Sequence, residues 1–170
     1  MDLEQAIKLI QFKTVNPIQH WADLGCGAGT FTYALATLLR PGSTIYAVDR
    51  EIHLMTNPYD EVTISFIEMD FVNNLHRLPD LHGILMANSL HFVESKKSFL
   101  QSVKKKLVLG DPRLLVVEYE TNQSNPWVPY PIRFKELKAL MTEIGAKEVH
   151  RIGEVPSRYH GTMYAAMVRF

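Results

Sequence analysis

The segment that decides the fold is Trp21-Ala22-Asp23-Leu24-Gly25-Cys26-Gly27-Ala28-Gly29-Thr30, in which a short apolar run is followed by three glycines. The apolar run has the length and composition of a buried β-strand, and apolar residues recur at helical spacing after the glycines. Glycines at such a junction allow a tight turn and a close approach to a ligand, and the start of the helix offers free N–H groups. The segment predicts either an ordinary strand-to-helix turn or a nucleotide-binding loop.

Two details of this loop separate the nucleotides that it could bind. Gly29 follows Gly27 after one residue, whereas the dinucleotide-binding pattern has two residues at that place. Asp23 lies two residues before the first glycine, at the edge of the strand. A carboxylate there attracts a cationic amino acid group and repels a pyrophosphate. The loop therefore favours a nucleoside with a cationic group over a dinucleotide.

Compact apolar runs alternate with longer segments of helical period along the chain, which is typical of a parallel sheet covered by helices on both faces. The predicted strands span residues 20–24, 44–49, 62–70, 83–88, 114–119, 147–152 and 163–170. The clearer helices span residues 30–39, 95–109 and 132–144. Residues 153–161 join the last two strands and are too few for a crossover helix, so we expect an antiparallel pair there.

Two further segments have recognisable local patterns. Asp2 and Gln5 have the spacing of a capping box, which predicts a short first helix whose end is marked by Asn16-Pro17. Residues 121–131 are the least regular stretch and contain Asn125-Pro126-Trp127 and Pro129-Tyr130-Pro131. This composition predicts an extended loop with exposed aromatic side chains.

Acidic residues follow the second and third predicted strands, at the same edge of the sheet as the glycine loop. The carboxylate of Asp49 can accept both hydroxyl protons of a ribose, although a lone strand-end acid is often only solvated. Asp70 could accept a hydrogen bond from an adenine amine while Phe71 lies against the ring. Together with the loop, these residues predict that three consecutive strand ends surround one nucleoside.

Asp23-Leu24-Gly25-Cys26-Gly27-Ala28-Gly29 resembles the first motif of class I, Rossmann-like methyltransferases that depend on S-adenosylmethionine. Asp49, Asp70 and Ala87-Asn88-Ser89-Leu90-His91-Phe92 resemble the following motifs of that family. The resemblance covers nearly the whole chain and is closest to the small-molecule branch that includes quinone C-methyltransferases. It implies an α/β fold with a Rossmann-like, seven-stranded, mostly parallel sheet, helices on both faces and a C-terminal antiparallel hairpin strand.

The resemblance also implies that the chain binds S-adenosylmethionine as its cofactor and methylates a small-molecule acceptor. The implied cofactor-binding residues are Asp23, Gly25, Cys26, Gly27, Gly29, Asp49, Arg50, Asp70, Phe71 and Asn88. One departure is that residues 50–61 leave room only for a turn where the family usually has a helix. In that segment, Asn57-Pro58-Tyr59 resembles part of a motif of methyltransferases that act on nucleic acid bases. It lacks one proline and follows the second strand, so we interpret it as a turn.

Candidate acceptor-site residues follow the fourth and fifth strands. His91 is the candidate general base, because imidazole changes protonation near neutral pH; the alternative is that it only lines the pocket. Glu118 and Tyr119 face the same crevice by topology and could orient an acceptor or have a structural role. Trp127 and Tyr130 could form an aromatic wall over the acceptor or attach the proline-rich loop to the sheet.

Composition limits the remaining functions. The chain has 170 residues, which fits one domain spanning residues 1–170. Its 18 Lys and Arg balance its 18 Asp and Glu, so we expect neither nucleic acid nor a membrane as a partner. The single cysteine, Cys26, excludes a disulfide framework and fits a cytoplasmic location. The histidines show no metal-ligand spacing, so we predict no metal.

Two other functions are alternatives at this stage. A non-catalytic, cofactor-binding methyltransferase-fold subunit or regulator that acts through a partner would have the same motifs. A nicotinamide-dependent oxidoreductase would share the sheet and Asp49, but the glycine spacing and Asp23 disfavour it. The identity of the acceptor, and whether the chain works as a homo-oligomer or beside a partner subunit, are not indicated by the sequence.

Overall fold

A seven-stranded sheet is the centre of the computed structural model, which describes residues 1–13, 18–53, 61–157 and 161–170. The strands are β1 (His20–Leu24), β2 (Thr44–Asp49), β3 (Thr63–Glu68), β4 (Gly83–Ala87), β5 (Arg113–Tyr119), β6 (Glu148–Pro156) and β7 (Thr162–Arg169). Their order across the sheet is β3-β2-β1-β4-β5-β7-β6. β1 to β5 run parallel, and β7 pairs antiparallel with both β5 and β6. The predicted mostly parallel sheet with a closing antiparallel hairpin is confirmed.

Helices cover both faces of this sheet, as predicted. They are α1 (Leu3–Leu9), α2 (Thr30–Leu38), α3 (Phe71–Asn74), α4 (Lys96–Lys106) and α5 (Phe134–Glu143). α1 and α2 pack into one apolar core, and α3, α4 and α5 pack into the other. The capping box at Asp2 is present, with the N–H of Gln5 donating to the Asp2 carboxylate at 2.8 Å. In the described part of the chain, no helix is long and apolar enough to cross a lipid bilayer.

The middle strands are buried on both faces because each face carries a layer of helices. Every residue of β4 is buried. Along β1, Trp21 packs into the core beside α1 and α2, whereas Ala22 and Leu24 pack into the opposite core. Trp21 lies opposite Gly83 of β4, where a Cβ would be 2.3 Å from the indole ring. The large ring and the glycine therefore fix the register of β1 against β4.

Some element boundaries differ from those predicted. The first helix ends at Leu9, earlier than the expected end at Asn16-Pro17, which lies outside the described residues. The helix predicted at residues 95–109 ends at Lys106, because Leu107 leaves it to form a β-bridge with Leu81. The sixth strand continues further than predicted, across a β-bulge. These differences leave the strand order and the two-faced packing unchanged.

The direction of the winding reverses between β1 and β4. The chain leaves β1 through α2 on one face to reach β2, and it leaves β4 through α4 on the other face to reach β5. In open α/β sheets, such a reversal creates a crevice outside the carboxyl ends of the strands, and ligands bind there. We therefore expect a ligand site beside the residues at the carboxyl ends of β1, β2, β3 and β4.

Candidate functional site

The glycine loop begins directly after β1 and is held against the end of β2. The N–H groups of Gly25 and Cys26 both donate to the carbonyl of Val48, at 2.8 and 3.0 Å. The N–H of Gly27 donates to Oδ2 of Asp49 at 2.8 Å. These bonds connect the loop to the neighbouring strand, so its shape is set before any ligand binds.

Gly25 lies close to the residues that follow β3 and β4. A Cβ at position 25 would be 2.6 Å from the Cβ of Ser89 and 3.5 Å from the ring of Phe71. The φ angle of Gly25 is +80° and that of Gly29, which precedes α2, is +85°. Residues with side chains rarely adopt this conformation. Position 25 therefore requires glycine on both grounds.

Asp23, near the end of β1, is fully buried beside this loop. Its Oδ2 accepts a 2.6 Å hydrogen bond from the hydroxyl of Thr32 in the first turn of α2. Its Oδ1 is buried and has no hydrogen-bond partner among the described residues. Burial, opposed in part by the Thr32 bond, raises the pKa of the carboxyl to about 7, and the carboxylate of Asp49 adds to the rise. A cationic donor at Oδ1 would satisfy this atom and favour the ionised carboxylate.

Two more unpartnered oxygen atoms follow β4. Oδ1 of Asn88 and Oγ of Ser89 are buried and, within the described ranges, accept and donate no hydrogen bond. Asn88 has a φ angle of +54°, a conformation that is unusual for a residue with a side chain and is often found at functional sites. Ser89 adjoins the glycine loop at Gly25, and Asn88 precedes it at the end of β4, which pairs with β1. Buried unpaired oxygens are unfavourable, and an ammonium group has three donors to satisfy them.

The acids after β2 and β3 are half-buried and already bonded to neighbouring groups. Asp49 accepts a second hydrogen bond, at 3.1 Å, from the N–H of Glu51. Asp70 caps α3, because its carboxylate accepts from the N–H of Val72 at 2.9 Å and from the side-chain amide of Asn73 at 2.8 Å. Each carboxylate oxygen can accept more than one bond, so these contacts leave room for a ligand donor.

Asp70 and Arg50 line a cavity of about 270 Å³ at the ends of β2 and β3. Phe71 is buried beside it and packs on Phe99, with 5.7 Å between the ring centroids. The structure therefore gathers Asp49, Arg50, Asp70 and Phe71 at the edge that carries the glycine loop. Their contacts with a nucleoside stay predictions.

His91 lies in the 3-10 turn Leu90–Phe92 that follows β4, and only 3% of it is exposed. Its Nδ1 is 2.7 Å from Oε2 of Glu118, and its backbone N–H donates to Oε1 at 3.0 Å. Glu118, in β5, is 1% exposed. A carboxylate on Nδ1 places the proton of neutral imidazole there and leaves the lone pair on Nε2. Both oxygens of Glu118 contact His91, and its predicted contact with an acceptor stays a prediction.

The predicted aromatic residues lie at different distances from His91. The ring of Tyr119 is 6.0 Å from the His91 ring, centroid to centroid. The N–H of Tyr130 donates to the carbonyl of His91 at 3.0 Å. Trp127 is 79% exposed and Tyr130 is 39% exposed, which confirms the expected loop with exposed aromatics. The structure brings Tyr119 and Tyr130 next to His91 and leaves Trp127 largely in solvent.

Lys96 connects this loop to the turn that carries His91. Its Nζ donates to the carbonyl of Val93 at 2.7 Å and lies 5.5 Å from the centre of the Tyr130 ring. Burial lowers the pKa of its ammonium, although the carboxylate of Glu118 acts in the opposite direction. Lys96 therefore places a cation near the buried His91 and Glu118 pair.

Cys26 is buried in the glycine loop, where burial raises the pKa of its thiol and the carboxylates of Asp23 and Asp49 raise it further. A thiol that stays protonated is a poor nucleophile. Across residues 1–13, 18–53, 61–157 and 161–170, no three His, Cys, Asp or Glu side chains lie together as a metal-binding group would. Asn57-Pro58-Tyr59 lies outside the described residues.

Thr32, Ser89 and Lys96 are site residues that the sequence analysis does not identify. Thr32 follows the last glycine of the loop by three residues, and side chains in the first turn of a helix point back toward its N-terminus. That geometry is a signal that could have linked Thr32 to Asp23. Ser89 lies between the predicted site residues Asn88 and His91, and no sequence signal distinguishes Lys96 from the other lysines of α4.

Known proteins resemble this chain in structure, whereas comparisons of its sequence find no match. Neither a protein-family model nor a curated protein sequence matches the chain. Among solved structures, a SAM-dependent methyltransferase from Aquifex aeolicus has a TM-score of 0.65 and 19% identity, over 98% of this chain and 89% of that chain.

Two further structures name their acceptors. The 1,6-didemethyltoxoflavin-N1-methyltransferase of Burkholderia thailandensis, with bound 1,6-didemethyltoxoflavin and S-adenosylhomocysteine, has a TM-score of 0.67 and 17% identity, over 98% of this chain and 77% of that chain. The precorrin-6y C5,15-methyltransferase of Geobacter metallireducens has a TM-score of 0.65 and 13% identity, over 99% of this chain and 88% of that chain. With the strand order and the glycine loop, these matches show that the chain has the fold of the class I, Rossmann-like S-adenosylmethionine-dependent methyltransferases.

Proposed function

We propose that residues 1–170 form a single S-adenosylmethionine-dependent methyltransferase domain that acts on a small-molecule acceptor. The observation that carries the proposal is that three oxygen atoms at the ends of the neighbouring strands β1 and β4 are buried and have no hydrogen-bond partner among the described residues: Oδ1 of Asp23, Oδ1 of Asn88 and Oγ of Ser89. Such a set fits the ammonium group of an amino acid, whereas an ionised Asp23 would repel a phosphate. It therefore favours an adenosyl amino acid over a dinucleotide.

Residues from four strand ends would hold this cofactor. Asp23, Asn88 and Ser89 would accept hydrogen bonds from its ammonium group, Asp49 from its ribose hydroxyls and Asp70 from its adenine amine. The positive φ angles of the loop glycines allow the backbone to approach it closely. When bound, the cofactor would supply an electrophilic methyl group for an in-line displacement by the acceptor.

His91 and Glu118 supply the proton chemistry of this chain. Glu118 keeps the Nδ1 proton of His91 in place, so Nε2 presents its lone pair. His91 accepts, at Nε2, the proton that an acceptor hydroxyl or acidic carbon loses when it takes the methyl group, and Glu118 stabilises the resulting imidazolium. A buried base of this kind is useful for an acceptor that must lose a proton, so we infer an acidic O–H or C–H acceptor.

Two observations support a small-molecule acceptor. The equal numbers of acidic and basic residues provide no broad field that would attract a nucleic acid. The toxoflavin-precursor and precorrin methyltransferases with the same fold act, by their names, on small molecules. A cytoplasmic location is part of this proposal, and a sequence with a single cysteine is compatible with a reducing compartment.

Isothermal titration calorimetry with S-adenosylhomocysteine and, separately, NAD tests the cofactor. We expect saturable binding of the first compound and none of the second. Asp23→Asn should weaken binding by at least about tenfold, because a neutral amide loses the attraction to the ammonium. The matched control is Asp80→Asn at an exposed position after α3, which should bind as the wild type does. Binding of NAD alone, or of neither compound, would remove the proposed activity.

A turnover assay distinguishes an active methyltransferase from a non-catalytic, cofactor-binding subunit. The wild-type chain should consume S-adenosylmethionine in the presence of phenolic or enolisable acceptors, and His91→Ala should lower that rate without changing the affinity for S-adenosylhomocysteine. Cofactor binding with no consumption over such an acceptor panel would favour the alternative of a binding subunit that acts through a partner.

A further inference from the structure

A second cavity, of about 460 Å³, lies on the side of the sheet that carries α3 and α4. Its apolar lining includes Val72, Phe92, Phe99 and Tyr130. Val72 is 42% exposed and Phe92 is 49% exposed, so this groove presents large apolar side chains to solvent. Its volume is in the range of sites that hold small organic molecules.

The groove adjoins the base of the proposed active site. The ring of Phe92 packs on the ring of His91, with 4.4 Å between their centroids. Tyr130, which also lines the groove, donates its N–H to the carbonyl of His91 at 3.0 Å. A molecule that contacts Phe92 and Tyr130 is therefore one side chain away from the general base.

The groove also adjoins the proposed cofactor site. Phe99, in its lining, packs on Phe71 with 5.7 Å between the ring centroids. The ring of Phe71 in turn lies 3.5 Å from the position of a Cβ on Gly25, in the glycine loop. A single packed side chain therefore separates the groove from the base, and another separates it from the glycine loop.

The polar lining offers hydrogen-bond acceptors. The hydroxyl of Ser98 donates to the carbonyl of Ser95 at 3.0 Å, and the hydroxyl of Ser102 donates to the carbonyl of Ser98 at 3.2 Å. With their protons used in this way, these hydroxyl oxygens have lone pairs left for a ligand. Glu94 adds a carboxylate to the lining, and the ammonium of Lys96, which bonds to the carbonyl of Val93 and lies near the Tyr130 ring, places a cation beside it, so the two charges balance. The groove therefore suits a ligand that donates hydrogen bonds and has no net charge.

We propose that this groove binds the apolar part of the methyl acceptor, and that the acceptor is an uncharged, predominantly apolar organic molecule that carries hydroxyl groups. Covering Val72 and Phe92 removes apolar surface from water, which provides affinity without orientation. The hydroxyl groups of the ligand donate to Ser98 and Ser102, which provides orientation. The assignment of the occupant as the acceptor rests on the proposed function, whereas the binding of such a molecule to the groove does not.

The test uses three matched probes on the full chain without cofactor: 1-naphthol, 1-methoxynaphthalene and 1-naphthalenesulfonate, titrated by fluorescence. We expect 1-naphthol to bind at least about tenfold more tightly than the other two, because one lacks a donor and the other carries a negative charge. Ser98→Phe fills the groove and should weaken 1-naphthol binding by a similar factor. Gln101→Phe is the matched control, because Gln101 is exposed on the same helix outside the lining and its variant should bind normally.

The position of the probe is checked by NMR of the histidine rings. Bound 1-naphthol should shift the resonances of His91 and leave those of His150, an exposed residue of β6, unchanged. Equal affinity for the three probes, binding that survives Ser98→Phe, or a self-association of the chain that abolishes probe binding would overturn the proposal. If the chain binds 1-naphthol as expected but does not bind S-adenosylhomocysteine, the proposed function and the identity of the occupant as the acceptor are wrong. The groove then remains a binding site for this class of ligand.

Discussion

The hydroxyl of Thr32 donates a 2.6 Å hydrogen bond to Oδ2 of Asp23, and neither residue is exposed to solvent. This bond joins the first turn of α2 to the end of β1 and leaves Oδ1 of Asp23 for a ligand. Because burial raises the pKa of the carboxyl to about 7, the charge of Asp23 changes close to neutral pH. Binding at Oδ1 is therefore coupled to the loss of a proton.

The affinity for S-adenosylhomocysteine should rise as the pH rises toward about 7 and then level off. Below this pH the free protein holds a proton on Asp23, and a cationic ammonium binds better to the ionised carboxylate, so binding must release that proton. The expected fall is up to about tenfold per pH unit on the acidic side. Calorimetry in two buffers of different ionisation enthalpy measures both the affinity and the proton release.

Asp23→Asn is the control for this pH dependence and should remove it. The same carboxyl also affects the stability of the protein without ligand. Its pKa is about 7 in the folded protein and 3.8 without the shift, so its protonated form stabilises the fold. This contribution is complete below about pH 3.8 and is lost as the pH rises to about 7. A wild-type affinity that stays constant across this range would contradict the assignment of Asp23.

Glu118→Gln should change the tautomer of His91. Glutamine can occupy the space of Glu118 but carries no charge to hold a proton on Nδ1 or to stabilise an imidazolium. The rate with any acceptor that the wild type methylates should fall by about 10²-fold or more, with unchanged S-adenosylhomocysteine affinity. Nitrogen-15 shifts of the His91 ring report the tautomer, and Glu120→Gln, in which the altered carboxylate follows β5 and bonds to Arg151, is the matched control.

The parts of the fold that the sequence predicts are those with strong local signals. The bounds of β1 and β2 agree with prediction because each is a compact apolar run between a turn and an acid or glycine. The end of α4 does not, because Leu107 leaves the helix to pair with Leu81, a contact between residues far apart in the chain. Local periodicity carries no information on such a pairing.

The same distinction between local signals and long-range contacts applies to the candidate site. Strand order brings the ends of β4 and β5 together, so topology predicts that His91 and Glu118 face one crevice. It does not give side-chain direction, and only the structure shows that both carboxylate oxygens of Glu118 contact His91. The Asp23 contact with Thr32 depends in the same way on how α2 packs against β1.

Gly25→Ala should destabilise the protein by about 2–4 kcal/mol. This value combines the cost of a positive φ angle in a residue with a side chain and the cost of a clash with Ser89. Gly27→Ala separates the two effects, because Gly27 has a φ angle of +50° and its Cβ would meet nothing within 4 Å. It should lose only about 1–2 kcal/mol. Urea unfolding measures both values. In the double variant Gly25→Ala, Ser89→Gly, the loss in free energy of unfolding should fall toward that of Gly27→Ala. If it does not fall, the structure has already relieved the clash by moving.

His82 should make the stability of the fold sensitive to acid. The N–H of His20 donates to Nδ1 of His82 at 3.0 Å, and the two rings lie 5.7 Å apart, centroid to centroid. Burial, with the nearby His20, lowers the pKa of His82 below its ordinary value of 6.5. The unfolded chain therefore takes up the proton more readily. The contribution of neutral His82 is full above about 6.5 and is lost as the pH falls through the lowered pKa.

His82→Asn isolates this effect, because an asparagine oxygen can accept the His20 bond and does not titrate near neutral pH. Asp23 acts in the opposite direction over the same range, since its protonation stabilises the fold as the pH falls. The informative quantity is therefore the difference in Tm between wild type and His82→Asn at each pH, in which the contribution of Asp23 cancels. This difference should move in favour of the variant as the pH falls from about 7 to about 5, and a constant difference would show that His82 keeps its proton equilibrium on folding.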